Sequence, residues 1–331
     1  MKSHTTFLGG DFGRRFEMDF IHGALEVSKS VIVPVKVIWS SEDDVRREFY
    51  RPASHHVLRA SLDASRQPVG STHKVVAPSA IIRFFPQSIG NGLDGEAVEG
   101  AVAMPYAIPN VQVDHSMADT GIPEVFWRSV NNSYNGWVVE SFLDELEHAA
   151  KRDPCEFRRD LLAKAPRHLA VFNLAAKKAG WGTPLPAGRA RDIAVVKSFE
   201  SFVAQVAEMS VEATGAVRVL RVVRAVDCGP VVNRAIVEAQ MQSGILFGLT
   251  AALYGKFSIS AGGGGRAADG VGGGGARDPT PASFYAGAHA RASKMLRRTR
   301  KVTLSDSRPS RRIRLRSDSP RAYGLIQNGT W

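Results

Sequence analysis

Cysteine is nearly absent from this chain: 331 residues contain two, Cys155 and Cys228. Two thiols cannot supply the four ligands of an iron–sulfur cluster or of a structural zinc site. Nothing in the sequence argues for a disulfide between them, and both read as small buried thiols. No uninterrupted run of about 18 apolar residues occurs, so a membrane-spanning protein is not expected. The opening residues, MKSHTTFLGG, lack a charged n-region followed by an apolar h-region, which excludes a standard export signal there. The chain is therefore expected in the cytoplasm. Glutamate is missing altogether from residues 259–331.

What charge there is lies unevenly. The formal net charge is +11, of which residues 259–331 carry +10 and residues 1–258 carry +1. A basic protein invites a nucleic-acid partner, but a nearly neutral body with one basic tail argues against that. The tail opens with SAGGGGRAADGVGGGGARDPTPAS and continues into RASKMLRRTRKVTLSDSRPSRRIRLRSDSPR. Such Gly-, Arg- and Ser-rich composition does not build a packed core. It fits a disordered or solvated segment, an arginine-rich nucleic-acid-binding arm, or GC-rich DNA translated out of frame, and the abruptness of the change favours the last.

Residues 1–258 are patterned for folding. MDFIHGALEVSKSV (18–31) spaces apolar residues as a helix does, VPVKVIW (33–39) reads as a strand, and HHVLRASLD (55–63) alternates like another. WVVESFLDELEHAAK (137–151) is an amphipathic helix that Asp153-Pro154 breaks, with Pro154 opening the next helix. PRHLAVFNLAAKKAG (166–180) is a helix closed by Gly180. FVAQVAEMSV and AVRVLRVVRAVD flank EATG, which predicts a β-hairpin. AIVEAQMQSGILFGLTAALYG (235–255) predicts a long, buried, mostly apolar helix capped by Asn233. Strands and helices mix without a strict βαβ rhythm, so the expected class is α+β, or mixed α/β.

Five segments, in order, carry a resemblance: FLGGDFGRR (7–15), PVKVIWSSEDDVRREFYRPA, GIPEVFWRSVNNSYNGWVVESFLDEL, DPCEFRRDLL and AVDCGPVVNRAIVEAQMQSGILFGLTAALYG. Together they resemble the molybdopterin-binding subunit of the xanthine dehydrogenase/aldehyde oxidase family, in the branch of the isoquinoline 1-oxidoreductase β subunits. The resemblance covers about residues 3–258. It implies part of the cofactor-binding region of a molybdenum hydroxylase large subunit. The implied cofactor is molybdenum–molybdopterin, in its cytosine dinucleotide form. The implied reaction hydroxylates an N-heteroaromatic compound or oxidises an aldehyde, and passes electrons to a small subunit with two [2Fe–2S] clusters. The cysteine count fits that division of labour. Full-length relatives in this branch are often exported to the periplasm.

The resemblance assigns roles to particular residues. GGDFG is similar to the family's glycine loop against the cofactor, where Gly9, Gly10 and Gly13 would let backbone approach the pterin and Phe12 would close over the metal. By itself the loop is equally an ordinary tight turn, and its spacing is not the dinucleotide fingerprint. Arg128 in FWRSVNNSYN would hold an oxo group or orient substrate with its fork of donors; otherwise it is a surface arginine. Gln240 in AQMQSG would offer both donor and acceptor to the cofactor; otherwise it is the polar face of a helix.

Three positions depart from the family pattern. Asp11, Asn131 and Glu200 stand where glycine is usual, and two of them are carboxylates. A carboxylate about 6 Å from a phosphate costs roughly 3 kcal/mol at an effective dielectric near 20. The family's Gly-Glu-Pro segment with its catalytic glutamate, and its Met-Gly-Gln-Gly segment, are not found in this sequence. Glu140 and Glu145 lie on an amphipathic helix and read as surface or structural. No catalytic residue is therefore assigned, and the expectation is a molybdenum hydroxylase fragment that does not turn over by itself; the alternatives are a non-catalytic remnant docking the iron–sulfur subunit and a basic-tailed nucleic-acid-associated protein.

Overall fold

The computed structural model describes residues 4, 6–7, 10–40, 49–212 and 214–254. The basic tail and the stretch 41–48 lie outside them. Helix α1 (Asp19–Val31) follows a short 3-10 turn, Arg14–Phe16. Strands β1 (His55–Leu62) and β2 (Pro68–Ala77) form an antiparallel hairpin, and β3 (Val111–Met117) joins β2 in parallel. Helices α2 (Asn132–Ala150), α3 (Pro154–Leu161) and α4 (Pro166–Ala179) come next. Strands β4 (Arg189–Ser198), β5 (Ser201–Val211) and β6 (Val217–Asp227) make an antiparallel meander, and α5 (Arg234–Leu253) follows. The class is mixed helix and sheet, as the sequence led one to expect.

The core lies where α2 meets β4 and β1, and where α4 covers β5 and β6. Phe142, Leu146, Phe157, Leu162 and Phe172 fill it from the helices, and Ile193, Val195, Ala204 and Val206 from the second sheet. Each large apolar side chain buried there is worth about 1.5–3 kcal/mol. β5 alternates Phe202, Ala204, Val206 inward until a bulge between Glu208 and Met209 brings two successive residues inside. Glu208 is then held by Arg189 at 3.2 Å and Arg191 at 3.5 Å.

One charge is fully buried in this core. Arg158 of α3 is 0% exposed and bonds Glu140 Oε2 at 3.1 Å, Asp144 Oδ1 at 2.5 Å and Glu147 Oε2 at 2.9 Å. The Glu140 carboxylate also accepts from Tyr106 O–H at 2.5 Å. Glu140 is thus structural, one of the two readings its helix allowed. Cys155 is buried, Cys228 is half-buried, and both are free thiols.

Helix ends follow their sequence signals. The Asp153 carboxylate accepts the N–H groups of Cys155 and Glu156, with Pro154 at the first helical position. Gly180 closes α4 in the left-handed conformation. Asn233 Oδ1 accepts Ala235 N–H at 3.0 Å.

Two expectations fail. Residues 33–39 form no strand and pair with none among the described residues, because apolar content marks a strand only where a neighbour supplies its hydrogen bonds. α5 is not buried: of its residues only Leu253 is. By length and composition it is apolar enough to cross a membrane, with mean hydropathy 1.2 over its best window. Gln240, Gln242 and Ser243 interrupt its middle, so composition marks this helix without saying what packs on it. β3 and β4 were not anticipated from the sequence, since their apolar residues mix with Arg, Asp and Gln.

Candidate functional site

The glycine turn is built by its own atoms. Asp11 Oδ1 accepts Arg15 N–H at 3.0 Å, and Arg15 Nη1 donates to the Gly10 carbonyl at 2.6 Å. Gly13 has φ +98°, and a Cβ there would stand 1.7 Å from the Phe126 carbonyl oxygen. Only glycine lets this backbone lie against the 126–128 segment. Phe16 then sets its edge on Phe84 and Phe126, with ring centroids 4.8 and 5.2 Å away. Arg83 adds bonds to the Glu17 carboxylate and to the Glu124 carbonyl, the latter at 3.2 Å. The turn is thereby fixed beside Trp127 and Arg128.

Across this junction comes α5. Arg128 Nη1 donates to Ser243 Oγ at 3.0 Å, and Nη2 donates to Gln240 at both its backbone carbonyl and Oε1, each at 3.2 Å. The guanidinium lies 4.9 Å from the Phe12 ring centroid and 5.7 Å from that of Phe247. Phe247 stacks on Phe12 at 6.1 Å and meets Trp127 at 4.9 Å. Arg51 covers Trp127 at 4.9 Å. Partial burial lowers the Arg128 pKa from its ordinary value. Phe12, Gly13, Arg128 and Gln240, separated by up to 228 positions in the sequence, thus meet in one place. Gly10 belongs to the same turn, and Gly9 lies outside the described residues.

The junction is rich in donors, some of them engaged with α5. With Oε1 accepting from Arg128, the Gln240 amide turns its NH2 away from the arginine. Two guanidinium groups, one amide NH2 and an aromatic wall suit an anionic, oxygen-rich group with a flat ring system. The donor set therefore fits the phosphate and oxo oxygens of a molybdenum–pterin cofactor. The closest approach that Gly13 permits is to Phe126, so that glycine is already required by the chain's own packing. Among the described residues no three His, Cys, Asp or Glu side chains cluster as metal ligands.

The three departures from glycine differ in their backbones. Asp11 does not have a positive φ and caps its turn through Arg15, a local role the family comparison did not reveal. Asn131 is right-handed, φ −78° and ψ −14°, so no glycine is needed there. Glu200 does stand at φ +59°, after Phe199 at +46°, in the two-residue turn between β4 and β5. Glycine would be preferred at that position.

Sequence reasoning missed Glu124, four residues before Arg128. Burial pushes its carboxyl up to about 7, against hydrogen bonds from Thr120 and from the Ala53 N–H. It fastens the Phe49–Ser54 stretch, whose Tyr50 bridges Glu124 in parallel. No pattern in GIPEVFWR separates this carboxylate from a solvated one.

Comparisons with known proteins find similarity over part of the chain. Residues 170–268 match the molybdopterin cofactor-binding domain family. Isoquinoline 1-oxidoreductase subunit beta of Brevundimonas diminuta is 30% identical over 267 residues, spanning 78% of this chain and 34% of that protein. Membrane-bound aldehyde dehydrogenase [pyrroloquinoline-quinone] of Gluconacetobacter polyoxogenes is 30% identical over 276 residues, 75% of this chain and 36% of that one. The chain thus spans about a third of the length of these curated relatives. Aldehyde oxidoreductase from Desulfovibrio gigas superposes with a TM-score of 0.41 at 13% identity, covering 64% of this chain and 25% of that one. The aldehyde oxidoreductase from Desulfovibrio desulfuricans gives 0.37 at 15%, covering 63% and 25%.

Proposed function

We propose, for a chain that is a partial molybdopterin-binding subunit of the xanthine dehydrogenase/aldehyde oxidase family, that the Arg128–Gln240 junction is its cofactor-facing surface. The observation that carries this is the hydrogen-bonded meeting of Arg128 with Gln240 above Phe12, three residues singled out from separate motifs. Arg128 and the Gln240 amide NH2 would hold anionic oxygens of the cofactor, with Phe12 closing one side. When bound, the cofactor supplies two-electron oxidation with oxygen taken from water. The substrate class is an N-heteroaromatic compound or an aldehyde, the cofactor is in the cytosine dinucleotide form, and electrons leave to a small subunit with two [2Fe–2S] clusters.

Alone, the 331-residue polypeptide holds this cofactor weakly and does not turn over. Asp11 adds a carboxylate to the turn, and Arg128 already spends three of its contacts on α5. A docking role for the remnant is favoured by one observation: Phe20, Ile21, Leu25 and Val31 of α1, and Ile236 and Leu246 of α5, stand exposed.

The test is to purify the chain, co-expressed with an iron–sulfur subunit of the family, from a host that makes the cofactor. Pterin and molybdenum are then measured per chain. Trace pterin that falls to background in Arg128→Ala is expected. Equal pterin in both would overturn the assignment, and stoichiometric molybdenum with turnover would overturn the claim of inactivity.

A further inference from the structure

Away from the Arg128 junction, β1 and β2 bring a serine and two histidines into line. Ser54 Oγ lies 2.9 Å from His56 Nε2, and His56 Nδ1 lies 2.9 Å from His73 Nε2. The register explains the alignment. His56 pairs with Val75 and Leu58 with His73, so the two histidines are diagonal neighbours on one face of the hairpin. Ser54, two residues before His56, shares that face. Ser54 and His56 are half-buried, whereas His73 is 4% exposed. Tyr134 backs the His56 ring at 5.6 Å, its hydroxyl donating to the Ala97 carbonyl at 3.0 Å.

We propose that Ser54, His56 and His73 form a nucleophilic relay that accepts an acyl group from activated esters. The order of contacts is the one nucleophilic catalysis needs: hydroxyl to base, base to a third group that orients it. Burial, with His56 as neighbour, lowers the His73 pKa to about 3, so His73 stays neutral, and in the tautomer with its proton on Nδ1 the Nε2 facing His56 carries a lone pair. His56 Nδ1–H then donates to His73, which leaves His56 Nε2 to accept from the Ser54 hydroxyl. When Ser54 Oγ attacks the ester carbonyl, its proton passes to His56 Nε2 and an Oγ–C bond forms. The ester C–O bond breaks, and the leaving alcohol takes the proton from His56. Water repeats the sequence in reverse and releases the acid, so atoms and charge balance without any oxidant. The substrates proposed are aryl esters with good leaving groups.

This assignment is independent of the cofactor surface. The full-length chain is treated with p-nitrophenyl acetate and, separately, with a fluorophosphonate, and the peptide containing residue 54 is analysed by mass spectrometry. Modification is expected on the Ser54 oxygen. Ser54→Ala abolishes it, and His56→Gln slows it on the order of 10²-fold or more. His73→Gln is a further test of positioning, read as slower modification of Ser54 in a variant whose melting temperature is unchanged. His56→Gln changes only a half-buried side chain, so it decides the matter should His73→Gln fail to fold. An unmodified Ser54, or labelling of His56→Gln at the wild-type rate, would overturn the proposal.

Discussion

Gly13 is the residue on which the junction turns. Its φ of +98° and the 1.7 Å approach of a built Cβ to the Phe126 carbonyl leave no room for alanine. Gly13→Ala is expected to cost at least about 2 kcal/mol, combining left-handed strain with a backbone clash; urea unfolding measures it. The β4–β5 turn gives the opposite expectation. Phe199 is exposed, and both turn residues have positive φ. Replacing Phe199-Glu200 with Asn-Gly should raise stability by about 0.5–1 kcal/mol, net of the exposed Lys197–Glu200 pair. Thermal or urea midpoints decide it. Here the sequence was informative about kind but not about cause. GGDFG announced a turn that needs glycine, yet its reason, the carbonyl of Phe126, is 113 positions away. Asp11 looked like an intruder in an anion site until its bond to the Arg15 N–H gave it a local task.

Among the elements, the α2–α3 pair holds the sharpest electrostatic feature. Arg158→Ala would leave Glu140, Asp144 and Glu147 facing one another, and a loss of about 3–5 kcal/mol is expected. Burial, against the attraction of Arg158, pushes Glu147 up to about 8, and burial with the charge of Asp192 pushes Asp144 up to about 7. Both values lie above those of an unfolded chain, so the folded state binds more protons at neutral pH. Their contribution to stability is therefore full below about pH 4 and is lost as pH rises through 7 to 8. The melting temperature should fall across that range, and Glu147→Gln should flatten the fall. α2, α3 and α4 were legible in the sequence because capping residues and apolar spacing agree. α5 was legible as a helix and misjudged as buried, since composition records apolar content and not the presence of a neighbour. Three hydrogen bonds from Arg128 and the ring of Phe247 tie α5 to the 126–128 segment. Arg128→Ala should accordingly speed amide exchange throughout residues 234–253 while leaving α4 protected.

For the whole molecule, the mixed fold and the kinship were readable from the order of motifs, but the convergence of those motifs was not. Arg128 and Gln240 are 112 positions apart, and neither motif alone distinguishes a ligand-facing side chain from a polar surface. Their meeting above Phe12 gives the account its central claim, that this junction is built to receive anionic oxygens. The most direct measurement is calorimetric titration of the purified chain with pyrophosphate, repeated on Arg128→Ala and Gln240→Ala. The account predicts saturable binding to the wild type and an affinity lowered by about tenfold or more in each variant, the loss of one or two charge-assisted hydrogen bonds. Equal binding by all three proteins, or none by the wild type, would contradict it.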